Sequence, residues 1–255
     1  MDLIDLHCHL LPGIDDGPRS MEGSVSLART YLSAGIGRVA ATPHVNLRHE
    51  NDPDRILQTR LELIERLGAE GIDLMVEQGA EVSADVTAGL DDSTLRRLTL
   101  GGGEWLLVEP PTRASTFTIH KAVFDVQQRG FRVLLAHPER NPALQKDIDL
   151  VADLVGTGTR TQVTAESLTG RYGPAAEKAA RTLFENGLVH TVASDAHHAT
   201  ERPPGLAGEL KRSGHKDLIG WLCRDMPTWI LDGGEEPERP EGATRKRKNR
   251  GLFRR

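Results

Sequence analysis

The chain has 255 residues, 38% of them apolar, enough to bury a substantial core, and a length of about 250 suits one α/β barrel as well as two small domains. No stretch approaches about 18 uninterrupted apolar residues, and Met1-Asp2 is followed by no basic segment, so neither a membrane span nor a secretory leader is expected and the cytoplasm is the default address. The net charge of −5 is unevenly spread: Glu235, Glu236, Glu238 and Glu241 precede seven basic and no acidic residues between Arg245 and Arg255.

In chain order, Leu3 to His7 reads as a strand running into Cys8-His9. A helix over Ser20 to Ser33 follows, opened by Ser20 and Glu22 and closed by Gly35. A strand from Arg38 to Thr42 leads into Pro43-His44, and a helix over Asp54 to Gly68 precedes a strand from Leu74 to Glu81. Trp105 to Glu109 is the next strand, followed by a helix over Thr116 to Gln128 that Gly130 closes. Arg132 to Ala136 ends in His137-Pro138-Glu139-Arg140, ahead of a helix over Lys146 to Leu154. Thr161 to Thr164 precedes a helix over Pro174 to Phe184, with Pro174 where a first turn tolerates it. Val189 to Ala193 ends in Ser194-Asp195-Ala196-His197, and a helical section over Leu218 to Arg224 closes the folded part before Pro227.

Short apolar strands alternating with amphipathic helices predict a parallel α/β fold. No Gly-, Ser- or Pro-rich linker divides it, so one domain over residues 1–232 is expected. Pro237 and Pro240 break regular structure, and residues 233–255 read as a disordered, acidic-then-basic tail. The tail is taken as a solvated terminus; the alternative has it touching anionic lipid or an acidic partner.

Two cysteines, Cys8 and Cys223, make no disulfide framework and suit a reducing compartment. A cysteine-based phosphatase closes its thiolate loop with an arginine six positions on. Ile14 and Trp229 stand there, so thiolate catalysis is not expected.

The chemistry collects where the strands end. Six predicted strands terminate in candidate ligands: His7 and His9, His44, Glu81, Glu109, His137, and Asp195 with His197. In a barrel such ends face one mouth, so residues far apart in sequence converge there. Imidazole mixed with carboxylate suits divalent Mn, Fe, Co or Zn better than Mg or Ca alone. His7 and His9 are two apart, which on a strand aims both at one face, although such a pair can also simply hydrogen-bond. His49, His120, His198 and His215 fall in loops or on helix faces and His190 lies early in a strand, so these five read as solvated or hydrogen-bonded side chains. Of these exclusions, that of His198 is the weakest, because it adjoins His197.

From Asp5 to about Asp232 the chain resembles the PHP (polymerase and histidinol phosphatase) superfamily. More narrowly, Asp5-Leu6-His7-Cys8-His9, Gly13-Ile14-Asp15-Asp16-Gly17-Pro18, Ala41-Thr42-Pro43-His44, His137-Pro138-Glu139-Arg140 and Ser194-Asp195-Ala196-His197 resemble bacterial manganese-dependent protein tyrosine phosphatases encoded with capsule and exopolysaccharide genes. The resemblance implies a distorted (β/α)7 TIM-like barrel with three metal ions, Mn²⁺ foremost, at the C-terminal strand ends. It implies His7, His9 and Asp195 on one ion, with Glu81 bridging to a second held by Glu109 and His137, and Asp16, His44 and His197 on the third. Carboxylates at Asp16 and Glu109, where other branches often carry histidine, point to the tyrosine phosphatase branch. Val45 departs from a second histidine common there, which implies an altered mouth. Asp15 is the alternative to Asp16 by adjacency.

The implied chemistry is hydrolysis of phosphotyrosine by a metal-bridging hydroxide in line, with no covalent enzyme intermediate. Arg140 and Arg202 match the family's phosphate-binding arginines and join Asp195 as catalytic candidates, although from spacing alone each could equally form a surface ion pair. The implied partner is a phosphotyrosine protein, a tyrosine kinase of polysaccharide synthesis, and not nucleic acid. Two other readings stand beside it: a PHP phosphoesterase acting on a small monoester such as histidinol phosphate, and a weakly active metal-bound regulatory partner of a membrane assembly.

Overall fold

The computed structural model describes residues 2–111 and 115–240. Among them nine strands occur: β1 (Leu3–Cys8), β2 (Ile36–Ala41), β3 (His44–Val45), β4 (Met75–Glu77), β5 (Glu81–Ser83), β6 (Trp105–Glu109), β7 (Arg132–Ala136), β8 (Arg160–Thr164) and β9 (Thr191–Ala193). They form two sheets, in the orders β1-β2-β4 and β3-β5-β6-β7-β8-β9, and every ladder between these strands is parallel. Burial on both faces explains the near-continuous apolar runs: Trp105 to Val108 and Val133 to Ala136 are buried throughout. The α/β class with parallel sheets is the one expected.

The helices are α1 (Met21–Ser33), α2 (Pro53–Ala69), α3 (Asp92–Arg97), α4 (Thr116–Gln128), α5 (Pro142–Lys146), α6 (Ile148–Gly156), α7 (Gly173–Glu185), α8 (Ala207–Arg212) and α9 (Met226–Asp232). Side-chain caps begin several of them. Ser20 accepts from the Gly23 amide, Asp52 from Arg55 and Ser115 from Thr118, each satisfying an amide that the first turn leaves free.

Two expected strands are interrupted, and both breaks matter for the site. The Arg38–Thr42 strand stops at Ala41 and resumes at His44, because Pro43 has no amide proton for a ladder and Thr42 turns its own amide to the Cys8 carbonyl at 2.8 Å. The Leu74–Glu81 strand breaks between Glu77 and Glu81 around Gly79, where an added Cβ would lie 2.9 Å from Leu100 Cδ2 and 3.0 Å from Thr42 Cγ2. As a result His44 and Glu81 each open a fresh strand, and the ladder sets them side by side.

The other junction between the sheets is made after β9. Asp195 donates its amide to the His7 carbonyl at 3.0 Å, and His9 donates to the Ala196 carbonyl at 2.9 Å. Both bonds run between segments carrying candidate ligands.

Several boundaries differ from expectation. The helix expected over Lys146–Leu154 is two helices, because Asp147 leaves helical geometry and caps α6 through the Leu150 amide at 3.1 Å. The helical section expected to end before Pro227 continues through it to Asp232. Trp221–Asp225 forms a wide π turn, and Pro227 falls in the first turn of α9, where its missing amide costs nothing. The strand expected from Val189 begins at Thr191, and α3 and α8, six residues each, were not expected.

The reading of everything after Asp232 as disordered does not hold for residues 233–240. The indoles of Trp229 and Trp221 donate to the carbonyls of Gly234 at 3.1 Å and Pro237 at 3.2 Å. Arg160 grips Glu236 through two bonds of 2.7 and 2.6 Å, and Arg239 donates to the Gly187 carbonyl at 2.6 Å. Two buried indole N–H groups need acceptors, and an extended chain with free carbonyls provides them. Residues 241–255, with the whole basic run, lie outside the described residues. Among the described residues no helix is long and apolar enough to cross a membrane.

Ending the chain after Gly233 instead of after Pro240 should therefore lower Tm by about 2–8 °C, the range for a loss of about 1–2 kcal/mol in a domain this size. Thermal melts of the two truncations, read by circular dichroism, make the comparison. Equal Tm values would mean that the 234–240 contacts are passive.

Candidate metal centre

The alternation of β1 puts Asp5, His7 and His9 on one side and Leu6 and Cys8 on the other, and all five are buried. Glu81 enters from the start of β5, Glu109 from the end of β6, His137 just after β7, and Asp195 and His197 just after β9. His137 and Asp195, at φ of 30° and 52°, are the two non-glycine residues with positive φ among the described residues. A left-handed backbone is unfavourable for both, and such strain gathers at functional sites.

Glu81 is the hub. Its Oε2 lies 2.8 Å from His44 Nδ1, 3.4 Å from His7 Nε2 and 3.5 Å from His9 Nε2, while Oε1 meets His137 Nε2 at 2.7 Å. Asp195 Oδ1 lies 3.5 Å from His7 Nε2 and 3.3 Å from His9 Nε2. Asp16 Oδ1 faces His197 Nε2 at 3.2 Å and His44 Nε2 at 3.6 Å.

Four groups bring their ligand atoms within 4.8 Å of one another: His7, His9 and Asp195; His9, Asp16, His44 and His197; His7, Glu81 and His137; and His44, Glu81 and Glu109. All nine expected ligands are thus in one connected cluster. Within the cluster, Glu81 is shared by two of these groups, with His7 and His137 in one and with His44 and Glu109 in the other.

The donor set fits divalent cations. His7 Nε2, His9 Nε2, His44 Nδ1 and Glu81 Oε2 are buried with no hydrogen-bond partner among the described residues, although each lies close to another of the set. A buried polar group without a partner costs about 1–3 kcal/mol, and four converging on one point are satisfied together by a bound cation.

Protonation gives the same picture. Burial alone would raise the Glu81 and Asp195 carboxyls, but His7 and the neighbouring imidazoles outweigh it and hold both well below the carboxylate range. Burial and then the charge of Glu81 push Glu109 up to about 7. Burial and then Arg140 push His137 down to about 4, so it stays neutral and able to ligate.

Outer contacts aim the imidazoles. His7 donates Nδ1–H to Gln162 Oε1 at 3.1 Å, His9 to Asp15 Oδ2 at 2.7 Å and His197 to the Asp195 carbonyl at 3.0 Å, so that in the neutral rings each Nε2 is a lone pair facing the cluster. Asp15 also accepts the amides of Gly17 at 2.9 Å and His44 at 3.1 Å, so Asp16 faces the cluster and Asp15 orients it. Gly17 is needed for this turn, since a Cβ there would lie 2.4 Å from the His9 carbonyl. Beneath, Asp5 accepts the amides of His7 and Ser194, both at 3.2 Å, and the Tyr31 hydroxyl at 3.2 Å.

Arg140 and Arg202 converge on Asp195 Oδ2, Arg202 at 2.7 Å. Tyr172 braces both: Arg140 lies 4.4 Å over its ring, and Arg202 donates to its hydroxyl at 3.4 Å. Gln162, Asp5, Tyr31 and Tyr172 escaped the sequence reading. Gln162 and Asp5 left signals, as polar residues inside short buried strands, and Asp5 also opens the quoted Asp5-to-His9 motif, but neither was given a role.

The five other histidines fall outside the four groups. His190 accepts the Thr161 amide at 3.2 Å, and burial pushes it down to about 3. His49 stacks on His44 at 5.5 Å, and His215 packs on Phe184 at 4.2 Å. Burial raises both cysteine thiols, so neither supplies a thiolate.

Fold and site together define an α/β protein of parallel sheets with a histidine and carboxylate cluster, able to hold metal ions, at its strand ends. Residues 3–217 match the family model for capsular polysaccharide synthesis, CpsB/CapC, and the chain belongs to that family. The tyrosine-protein phosphatase YwqE of Bacillus subtilis is 33% identical over 201 residues, covering 78% of this chain and 79% of YwqE. The putative tyrosine-protein phosphatase CapC of Staphylococcus aureus is 30% identical over 207 residues, 79% of each chain. A solved structure from a study of YwqE and of CpsB from Streptococcus pneumoniae, described there as unique metal-dependent tyrosine phosphatases, superposes with a TM-score of 0.82 at 29% identity, over 93% of this chain and 98% of that one. A dihydropyrimidinase from Brevibacillus agri shares the fold alone, at a TM-score of 0.55 and 12% identity over 91% of this chain and 71% of its own.

Replacing Asp15 with Ala frees the His9 ring and the Gly17 turn, and divalent-metal affinity should fall about 10–100-fold with the fold intact. Calorimetric titration of the metal-free protein with Mn²⁺ measures this, and unchanged affinity would remove Asp15 from the account. His190 sets a separate pH effect. Its folded pKa lies below the unfolded value, so stability is fully present above about pH 6.5 and is lost as pH falls from there toward 3, by about 1.4 kcal/mol per unit. In His190→Asn, which keeps an acceptor for Thr161, urea unfolding at pH 7.5 and 5.5 should show a shallower loss than wild type.

Proposed function

We propose that this chain is a metal-dependent protein tyrosine phosphatase that hydrolyses phosphotyrosine on a tyrosine kinase of capsule or exopolysaccharide synthesis in the cytoplasm. The observation that carries the reading is the gathering of nine histidine and carboxylate side chains, Glu81 among them, into one connected cluster in a chain of the CpsB/CapC family. Three divalent ions, Mn²⁺ foremost with Fe, Zn or Co as substitutes, are proposed for the cluster. His7, His9 and Asp195 would hold the first, and Glu81, Glu109 and His137 the second. Asp16, His44 and His197 would hold the third. We further read β2 with β3, and β4 with β5, as interrupted single strands of a seven-stranded barrel, in a catalytic domain that runs to Pro240.

When bound, the ions neutralise phosphoryl charge and bring the pKa of a coordinated water near neutrality. The chain's own groups do the rest. Arg140 and Arg202, held side by side at the cluster by Asp195, bind the phosphoryl oxygens. Tyr172 keeps both guanidiniums from swinging away. A phenolate leaving group, of pKa about 10, departs with less protonation than an aliphatic alkoxide needs.

Metal analysis of the purified protein, with p-nitrophenyl phosphate and phosphotyrosine-peptide assays before and after chelation, tests the proposal. Chelation should abolish hydrolysis and Mn²⁺ should restore it, and Asp195→Ala should be inactive even with added metal. Arg202→Lys, which loses the forked donor, should lower kcat/KM by about tenfold or more. Rapid turnover of histidinol phosphate with none of phosphotyrosine peptides would reassign the substrate.

A further inference from the structure

Beside the cluster, the surface carries a pocket that the chemistry above does not use. A cavity of about 310 Å³ opens between the loop after β3 and the segments after β5, walled by Val45, Leu47, Pro53, Val86, Leu90 and Leu98. Its size is at the lower end for a ligand pocket, which begins near about 300 Å³. Leu47 at its edge is 77% exposed, where the fold gains little from a leucine.

A second hollow continues it toward the cluster. The two share Asn46 and Leu47, and the second runs past Ser83 and Asp85 at the end of β5 to Glu109. An apolar pocket is therefore joined to the candidate metal centre by a continuous surface. Glu50, Asp52 and Asp85 outnumber the one basic residue along this path, Arg48, which disfavours an anionic occupant such as a phospholipid headgroup.

We infer that this pocket is a specificity subsite that takes an apolar side chain of the protein substrate within a few residues of the phosphotyrosine. The inference rests on the proposed phosphatase activity. A phosphotyrosine seated at the cluster brings its flanking residues across the mouth, and an extended chain advances about 3.3–3.6 Å per residue, so a neighbouring side chain reaches an adjoining pocket. The site would then select phosphotyrosine in an apolar context over small aryl phosphates, which lack the second anchor.

The test uses phosphotyrosine peptides carrying leucine at one position at a time, from four before to four after the phosphotyrosine, in a serine background. Each kcat/KM is divided by that for p-nitrophenyl phosphate on the same enzyme preparation. At one or two positions leucine should raise the ratio about tenfold, mostly through KM. The gain should disappear in Leu90→Asp, which puts a charge in the wall, and shrink in Leu47→Ser, an exposed change that leaves folding intact. Equal ratios at every position with p-nitrophenyl phosphate turned over would overturn the subsite and leave the phosphatase standing. A leucine preference that survives both substitutions, or a dimer that Leu47→Ser dissolves without any peptide preference, would also overturn it. Loss of all turnover, p-nitrophenyl phosphate included, would instead refute the phosphatase reading on which the subsite depends.

Discussion

A carboxylate buried among imidazoles organises this molecule. Glu81 is 1% exposed and within 3.5 Å of nitrogen atoms from His7, His9, His44 and His137. Removed from water, it must be offset by positive charge, either protons on those rings or cations between them. The rings come from three separate stretches of chain, so that requirement links β1, β3 and the segment after β7 to Glu81 on β5 in one electrostatic unit. The strand interruptions at Pro43 and Gly79 serve it, because they let His44 and Glu81 enter from paired strand starts.

The arrangement is bought with local instability. His137 and Asp195 hold left-handed backbone, and four buried ligand atoms find no hydrogen-bond partner among the described residues. The surrounding structure compensates. The Asp5, Tyr31 and Ser194 network fixes the base of β1 against the segment after β9, and residues 233–240 supply acceptors to the buried indoles of Trp221 and Trp229, the latter packed edge-on to Trp105. A rigid outer shell holds a strained, charged centre, which is what preorganised sites require.

Much of this was legible in the residues. Histidines and carboxylates at strand ends, read with parallel α/β alternation, brought eight of the nine cluster residues forward, because strand period and barrel geometry are strong constraints on where such side chains point; Asp16, in the loop after β1, came only with the family resemblance. What escaped did so for physical reasons. Choosing between Asp15 and Asp16 needs the turn that Gly17 permits, and adjacency alone carries no direction. Tyr172 acts through a ring face and a hydroxyl on a helix-leading turn, with no spacing to mark it. Pro237 and Pro240 suggested a disordered tail, but residues 234–240 are also held by partners far away in sequence, Arg160 on Glu236 and the Gly187 carbonyl on Arg239. The breaks at Thr42-Pro43 and Gly79 depend on contacts between those two segments and Leu100, which no local pattern reports.

The central claim is that these side chains meet around divalent ions, and diffraction tests it most directly. Crystals of active, Mn²⁺-loaded protein measured on both sides of the manganese absorption edge should give anomalous peaks in the space bounded by Glu81, Asp195 and Asp16. An active, fully loaded crystal whose peaks lie elsewhere, with the Glu81 pocket holding none, would contradict the account.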